Sequence, residues 1–156
     1  MDCGKRCCSN VYLKRYHMES EHALDQVRFA PSLTLSVVLP ALEFYKKAFG
    51  VVELRRFSNE DGSVHVAVLR LANADLYLHQ EMQGQQGRAP GSVGGTTVEL
   101  VIFVPDPDAL MERALTAGAR EVSPMQDHFY GLRQGTVADP FGHLWTFQKR
   151  IAERPV

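Results

Sequence analysis

Beyond position 8 the sequence holds no cysteine: Cys3, Cys7 and Cys8 are the three present in 156 residues. The body of the chain therefore offers no thiol nucleophile. No second Cys pair completes a zinc knuckle with His17 or His22, and the intervals match no common zinc pattern. An excess of charge of either sign is also missing. With 17 Lys and Arg against 18 Asp and Glu, the formal net charge is -1. That is too little for the broad basic field that nucleic acid or an anionic membrane surface calls for. No apolar run approaches the roughly 18 residues of a membrane span, and the first residues carry no apolar signal core. A G-x-S-x-G elbow, a P-loop and a G-x-G-x-x-G turn opening a helix are all absent, so a covalent mechanism has no visible carrier. A cytoplasmic protein is expected, without a nucleic-acid or membrane partner.

What is present suits one compact domain with a single good core, since 45% of positions are hydrophobic. Residues 1–26 are polar and mixed and read as a flexible N-terminal extension. From residue 27 the elements are recognisable. "RFAPSLTLSVV" reads as a strand. "LPALEFYKKAFG" reads as a helix with Pro40 in its first turn, Leu42, Tyr45 and Phe49 on one stripe, and Gly50 as its stop. "VVELRRF", "VHVAVLRL" and "ADLYLHQ" follow as strands around the turn signal Asn59-Glu60-Asp61-Gly62. This makes a β-α-β-β-β unit over 27–83, followed by a Gln- and Gly-rich connector over 84–95.

Over 96–150 the same order begins again. "TTVELVIFV" leads to a helix capped by Asp106, with Pro107 at its first position, Leu110 and Ala114 on one face, and Gly118 at its end. "REVSPMQ", "LRQGTVAD" and "HLWTFQK" supply three strands. Ala41 with Ala109, Gly50 with Gly118, Glu53 with Glu121, Leu76 with Leu144 and Gln80 with Gln148 all stand 68 positions apart. A match of helix, stop glycine and last strand at one offset reads as an internal duplication without a gap. The expected fold is α+β: two tandem βαβββ modules forming a curved sheet around a shared cleft, with the helices on the convex face.

The segments "LPALEFYKKAFGVVELRRF", "DGSVHVAVLRL" and "DHFYGLRQGTVADPFGHLW" resemble the vicinal oxygen chelate superfamily of glyoxalase I, bleomycin-resistance proteins and extradiol dioxygenases, and most of all its PhnB-like branch. The resemblance implies paired modules and a homodimer, and leaves the chemistry open. In metal-dependent relatives the first and last strands of each module carry the ligands. Carried over, those places fall on Pro31 (or Ala30 with a one-residue slip), Leu78, Glu99 and Thr146, of which only Glu99 is a good ligand. No resident metal or other cofactor is therefore expected. His79 or Glu81 would complete a metal set only through a bulge or slipped register, and His79 is expected beneath the helix.

The remaining candidates follow from position. Trp145 and Phe147 alternate with Leu144 and Thr146 and are expected to face the helix. His143 is read as a turn residue bonding local backbone, and His65 as a mid-strand residue able to face the cleft. His128 adjoins Phe129 and Tyr130, which with Arg133 form a rim offering flat aromatic faces and a guanidinium fork. The leading expectation is a small organic ligand, aromatic or cationic, held by Glu99, Leu78, Thr146, His65, Phe129, Tyr130 and Arg133. Glu99 is taken as a buried anchor partnered by Arg133, His65 or the ligand, and as the one candidate catalytic base. The alternatives are a metal-dependent lyase, isomerase or dioxygenase of the same superfamily, and a structural or partner-binding module.

Overall fold

The computed structural model describes residues 28–152, so the N-terminal extension with its cysteines, His17 and His22 lies outside the described residues. The first module runs β1 (Ser32–Leu35), α1 (Val38–Phe49), β2 (Val52–Ser58), β3 (Val64–Leu71) and β4 (Ala74–Gln80). The second runs β5 (Glu99–Phe103), α3 (Pro107–Thr116), β6 (Arg120–His128), β7 (Leu132–Ala138) and β8 (Leu144–Arg150). Between them the connector, expected as a flexible loop, carries a short helix α2 (Pro90–Val93). Each module is a four-stranded mixed sheet, ordered β1-β4-β3-β2 and β5-β8-β7-β6. In each, the first strand runs parallel to the last, and the other pairs are antiparallel hairpins.

Local chemistry sets the helix ends as the sequence implies. Gly50 takes φ 68° and its N–H donates to the Lys46 carbonyl, the left-handed stop that glycine adopts without strain. The Asp106 carboxylate accepts from the Ala109 N–H at 3.1 Å, with Pro107 at the first helical position. Lys46, in the last turn of α1, pairs with Glu53 of β2 at 2.8 Å. Arg56 and Lys46 together hold the Glu53 carboxyl down at about 2, below the ordinary carboxylate range.

The core is shared by both modules. Phe49 of α1 lies 4.7 Å from the Trp145 ring and 5.7 Å from that of Phe147, centroid to centroid, so the first module's helix packs on the second module's last strand. Trp145, Tyr45, Phe147, Leu35, Leu42 and Leu78 are fully buried, each burial stabilising by roughly 1.5–3 kcal/mol before conformational entropy is charged against it. Within this apolar mass sits Asp139, only 4% exposed. Its Oδ2 accepts from the Tyr45 hydroxyl at 2.6 Å and the Trp145 indole N–H at 2.9 Å. Its Oδ1 accepts from the backbone N–H groups of Phe141 and His143, each at 2.9 Å. Contrary to the local backbone bond expected from its turn position, the adjacent His143 ring reaches the other module, where Nε2 meets the Thr34 carbonyl at 3.1 Å.

One expectation about register is overturned. From Leu69 to its neighbour Leu76 is seven residues, whereas from Val137 to its neighbour Trp145 is eight. The second hairpin is thus one residue longer, and the gapless 68-residue offset becomes 69 in the first and last strands. Trp145 corresponds to Leu76, Thr146 to Tyr77, and Glu99 to Ala30 rather than Pro31. Because strand side chains alternate, a slip of one exchanges the two faces. Leu78 is therefore a fully buried core residue and does not line the open face; Tyr77 and His79 do.

Two outcomes follow. Asp139→Ala strands four buried or half-buried donors and should cost about 2–4 kcal/mol in urea denaturation. Burial pushes the His143 imidazole below its ordinary value of 6.5, against the raising effects of Asp139 and the Thr34 carbonyl. The unfolded chain then takes up this proton first, so stability is full above 6.5 and falls as the pH drops below it. His143→Gln should flatten that part of a melting-temperature-against-pH curve; an unchanged slope would assign the acid sensitivity elsewhere.

Candidate functional site

With the helices and core occupying one face of each sheet, function is left to the opposite faces. Register partners share a face, so the second sheet's open face can be read row by row. Glu99, Leu144, Ala138 and Arg120 form one row, then Val101, Thr146, Thr136 and Ser123, then Phe103, Gln148, Gln134 and Gln126. Glu99 leans across β8: its Oε1 accepts from the Thr146 hydroxyl, which lies 2.5 Å from the Thr136 hydroxyl, and Thr136 itself stands 3.5 Å from the same carboxylate oxygen. A carboxylate fixed by two hydroxyls, with Val101 half exposed beside it, can take a cation or a hydrogen-bond donor from solvent.

The first sheet's open face differs in character. Ser32, Tyr77, Val68 and Arg55 form one row, and Thr34, His79, Val66 and Phe57 the next. Tyr77 and His79 stack with centroids 6.3 Å apart, and Arg70 pairs with Asp75 at 2.5 Å. This face is aromatic and carries Arg55 and Arg70, where the other is rich in hydroxyls and amides, with Glu99 on one edge strand and Arg120 on the other.

Several expected site residues stand elsewhere. Glu99 is exposed, not a buried anchor, and its partners are Thr146 and Thr136 instead of Arg133 or His65. Arg133 lies on the helix side of the second sheet, bridging both carboxylate oxygens of Asp108 on α3, and Asp127 at 2.8 Å. Asp108 and Asp127 hold its guanidinium charged, and it is not a free fork for an anion. Phe129 (64% exposed) and Tyr130 form an aromatic tip on the β6–β7 turn with His128 stacked on Tyr130 at 4.8 Å, well along the sheet from Glu99. His65 sits near Phe57, its Nδ1 buried without a hydrogen-bond partner, on the first sheet. Of the expected set, Glu99 and Thr146 come together. Thr136, the residue that sequence reasoning missed, joins them through hairpin register, a signal legible only once the extra residue in the second hairpin is placed.

Residues 38–147 match the family model of the Glyoxalase/Bleomycin resistance protein/Dioxygenase superfamily. The chain belongs to this superfamily. It is 39% identical over 127 residues to the uncharacterized protein Rv0887c of Mycobacterium tuberculosis, covering 80% of this chain and 75% of that one. Among solved structures, it resembles TioX from Micromonospora sp. ML1 with a TM-score of 0.65 and 27% identity, covering 81% of this chain and all of TioX (100%). The Arabidopsis thaliana At5g48480 product gives a TM-score of 0.63 at 28% identity, over 78% and 98% of the two chains. The fosfomycin resistance protein FosX of Listeria monocytogenes, solved as its E126Q mutant with Mn(II) and a dihydroxypropylphosphonic acid, shares the fold at 16% identity and a TM-score of 0.56, over 76% and 85%.

A resident metal of the kind held by that structure does not fit the donors around Glu99. A catalytic divalent ion takes about three protein ligands, and here one carboxylate is accompanied by neutral hydroxyls and amides. Among the described residues no three His, Cys, Asp or Glu side chains form a group that would hold an ion. No helix of the described residues is long and apolar enough to cross a membrane.

Arg133→Gln is expected to lower stability by about 1 kcal/mol or less, as partly exposed ion pairs do, and to leave small-molecule binding at Glu99 unchanged. A loss of binding with stability intact would return Arg133 to the site.

Proposed function

We propose that the protein is a non-metal, small-molecule-binding member of its superfamily, of the bleomycin-resistance kind and PhnB-like branch, acting in the cytoplasm. It holds an organic cation on the open face of the second sheet. The observation that carries this reading is the Glu99 carboxylate, fixed by the Thr146 and Thr136 hydroxyls while still facing solvent. Fixing the acceptor beforehand lowers the ordering cost of binding, and the apolar side chains of Val101 and Leu144 beside it give an aromatic body something to lie on. Proton abstraction by Glu99 would use the same geometry.

The unit proposed to bind is a homodimer. Val101 and Phe103 on the second sheet, and Val52 and Leu54 on the first, are each about half exposed. The strands β1 and β5 stand at sheet edges with one side unpaired. A second copy packed along these edges would cover both liabilities while the Glu99 row stays open to the ligand.

Glu99→Gln should weaken benzylamine, measured by calorimetry, about tenfold or ~1.4 kcal/mol. Its unfolding free energy should stay within about 0.5 kcal/mol of the parent, because Glu99 is exposed. Unchanged benzylamine affinity would remove Glu99 as the anchor, and a stoichiometric divalent metal found by elemental analysis would overturn the metal-free reading. Phe103→Glu should convert a dimer to a monomer in sedimentation; a dimer that survives would place the interface elsewhere.

A further inference from the structure

Arg120 stands on the second sheet's open face without a carboxylate partner among the described residues, as does Arg150, which lies over the Phe103 ring toward the other end of the sheet. Arg56, Arg70, Arg88 and Arg133 each pair with a carboxylate. Arg120 instead donates one long bond, 3.4 Å, to the Glu121 carbonyl, and makes no ion pair with a described residue. It closes the row that Glu99 opens, Glu99 standing on β5 and Arg120 on β6 with Leu144 and Ala138 between them.

Arg120 also forms one wall of a groove of about 600 Å³ at the turn end of the sheet, a volume within the usual range for small-molecule sites. Leu144, Ala138, Phe141 and Pro90 give it an apolar lining, and the Arg120 guanidinium and the Thr96 hydroxyl are its polar side-chain groups. Glu99 tips its carboxylate over β8 toward Thr146, just past Leu144. Two strand spacings of about 4.8 Å put that carboxylate on the order of 10 Å from the Arg120 backbone. The two charges are thus too far apart to neutralise one another and close enough to be bridged by one small molecule.

We infer that the groove and Glu99 together form a two-ended site for a small amphoteric ligand. Its ammonium or amidinium nitrogen sits on Glu99, its carboxylate takes the Arg120 fork, and a flat apolar body lies over Leu144 and Ala138. The guanidinium fork matches the two oxygens of a carboxylate in one plane. The inference rests on the reading of Glu99 as the cation anchor and adds the second end, which selects against ligands carrying the cation alone.

The test is calorimetry of the full chain with three probes: 4-(aminomethyl)benzoate, benzylamine and benzoate. The amphoteric probe should bind at least tenfold tighter than either singly charged one. Arg120→Gln should abolish that advantage while leaving benzylamine unchanged, and Arg120→Lys should restore part of it. Circular dichroism of the variants checks that both fold, as expected for an exposed side chain. If 4-(aminomethyl)benzoate binds no tighter than benzylamine, while Glu99→Gln still weakens benzylamine, the two-ended site is overturned and the Glu99 anchor stands. Benzylamine binding indifferent to Glu99→Gln overturns both, and so does the absence of binding by all three probes.

Discussion

The buried carboxylate of Asp139 is the constraint on which the rest of the structure depends. An ionised group in an apolar interior is costly unless its lone pairs are met, and here four donors meet them, two on each oxygen. Tyr45 comes from the first module's helix, Trp145 from the second module's last strand, and the two backbone donors from the turn that joins β7 to β8. Burial, reinforced by the neighbouring carboxylate, pushes the Tyr45 hydroxyl well above its ordinary value, so it stays a proton donor throughout the working pH range. The four bonds therefore fix the entry of β8, and with it the row on which Thr146 meets Glu99.

That anchorage goes with a closely packed helix side. Gly135 shows how tightly the inner face is filled: a Cβ there would come 2.8 Å from the Met111 sulfur and 3.0 Å from the backbone of Met125. With α3 seated so closely on the second sheet, no gap is left beside Gly135 between that helix and the strands. The open face of the second sheet, by contrast, carries hydroxyl, amide and apolar side chains in regular rows.

The fold was legible in the sequence because each element announces its own ends: Gly50 stops α1, Asp106 and Pro107 start α3, and the alternation of the strands marks their lengths. Trp145 and Phe147 were correctly placed against the helix, and the repeat of β-α-β-β-β is plain. The candidate site was legible only in part. A side chain's face depends on the parity of the residue count through a turn, and one added residue between Val137 and Trp145 reverses it. That sent Leu78 to the core and His79 to the open face. Nor did strand pattern alone disclose that Arg133 would find Asp108 on a neighbouring helix, since that contact depends on how α3 lies over the sheet. The burial of Glu99 was inferred from its apolar neighbours Val98, Leu100 and Val101, of which Leu100 alone turns to the core.

The connector between the modules looks in sequence like a loose tether, and in the structure it behaves as a strut. Glu81 grips Arg88 and the Ser92 hydroxyl. Gly87 lies against Thr34 of β1, and Pro90 lies against Gly142 so closely that a Cβ on either glycine would come within 2.8 Å of its neighbour. The segment is thus wedged at one end on the first module and at the other on the turn that carries Asp139. Hinge bending between the halves, a common way for two-module proteins to clasp a guest, would have to dislodge that wedge. Any gating of the molecule is thereby handed to side chains and to whatever covers the sheets from outside.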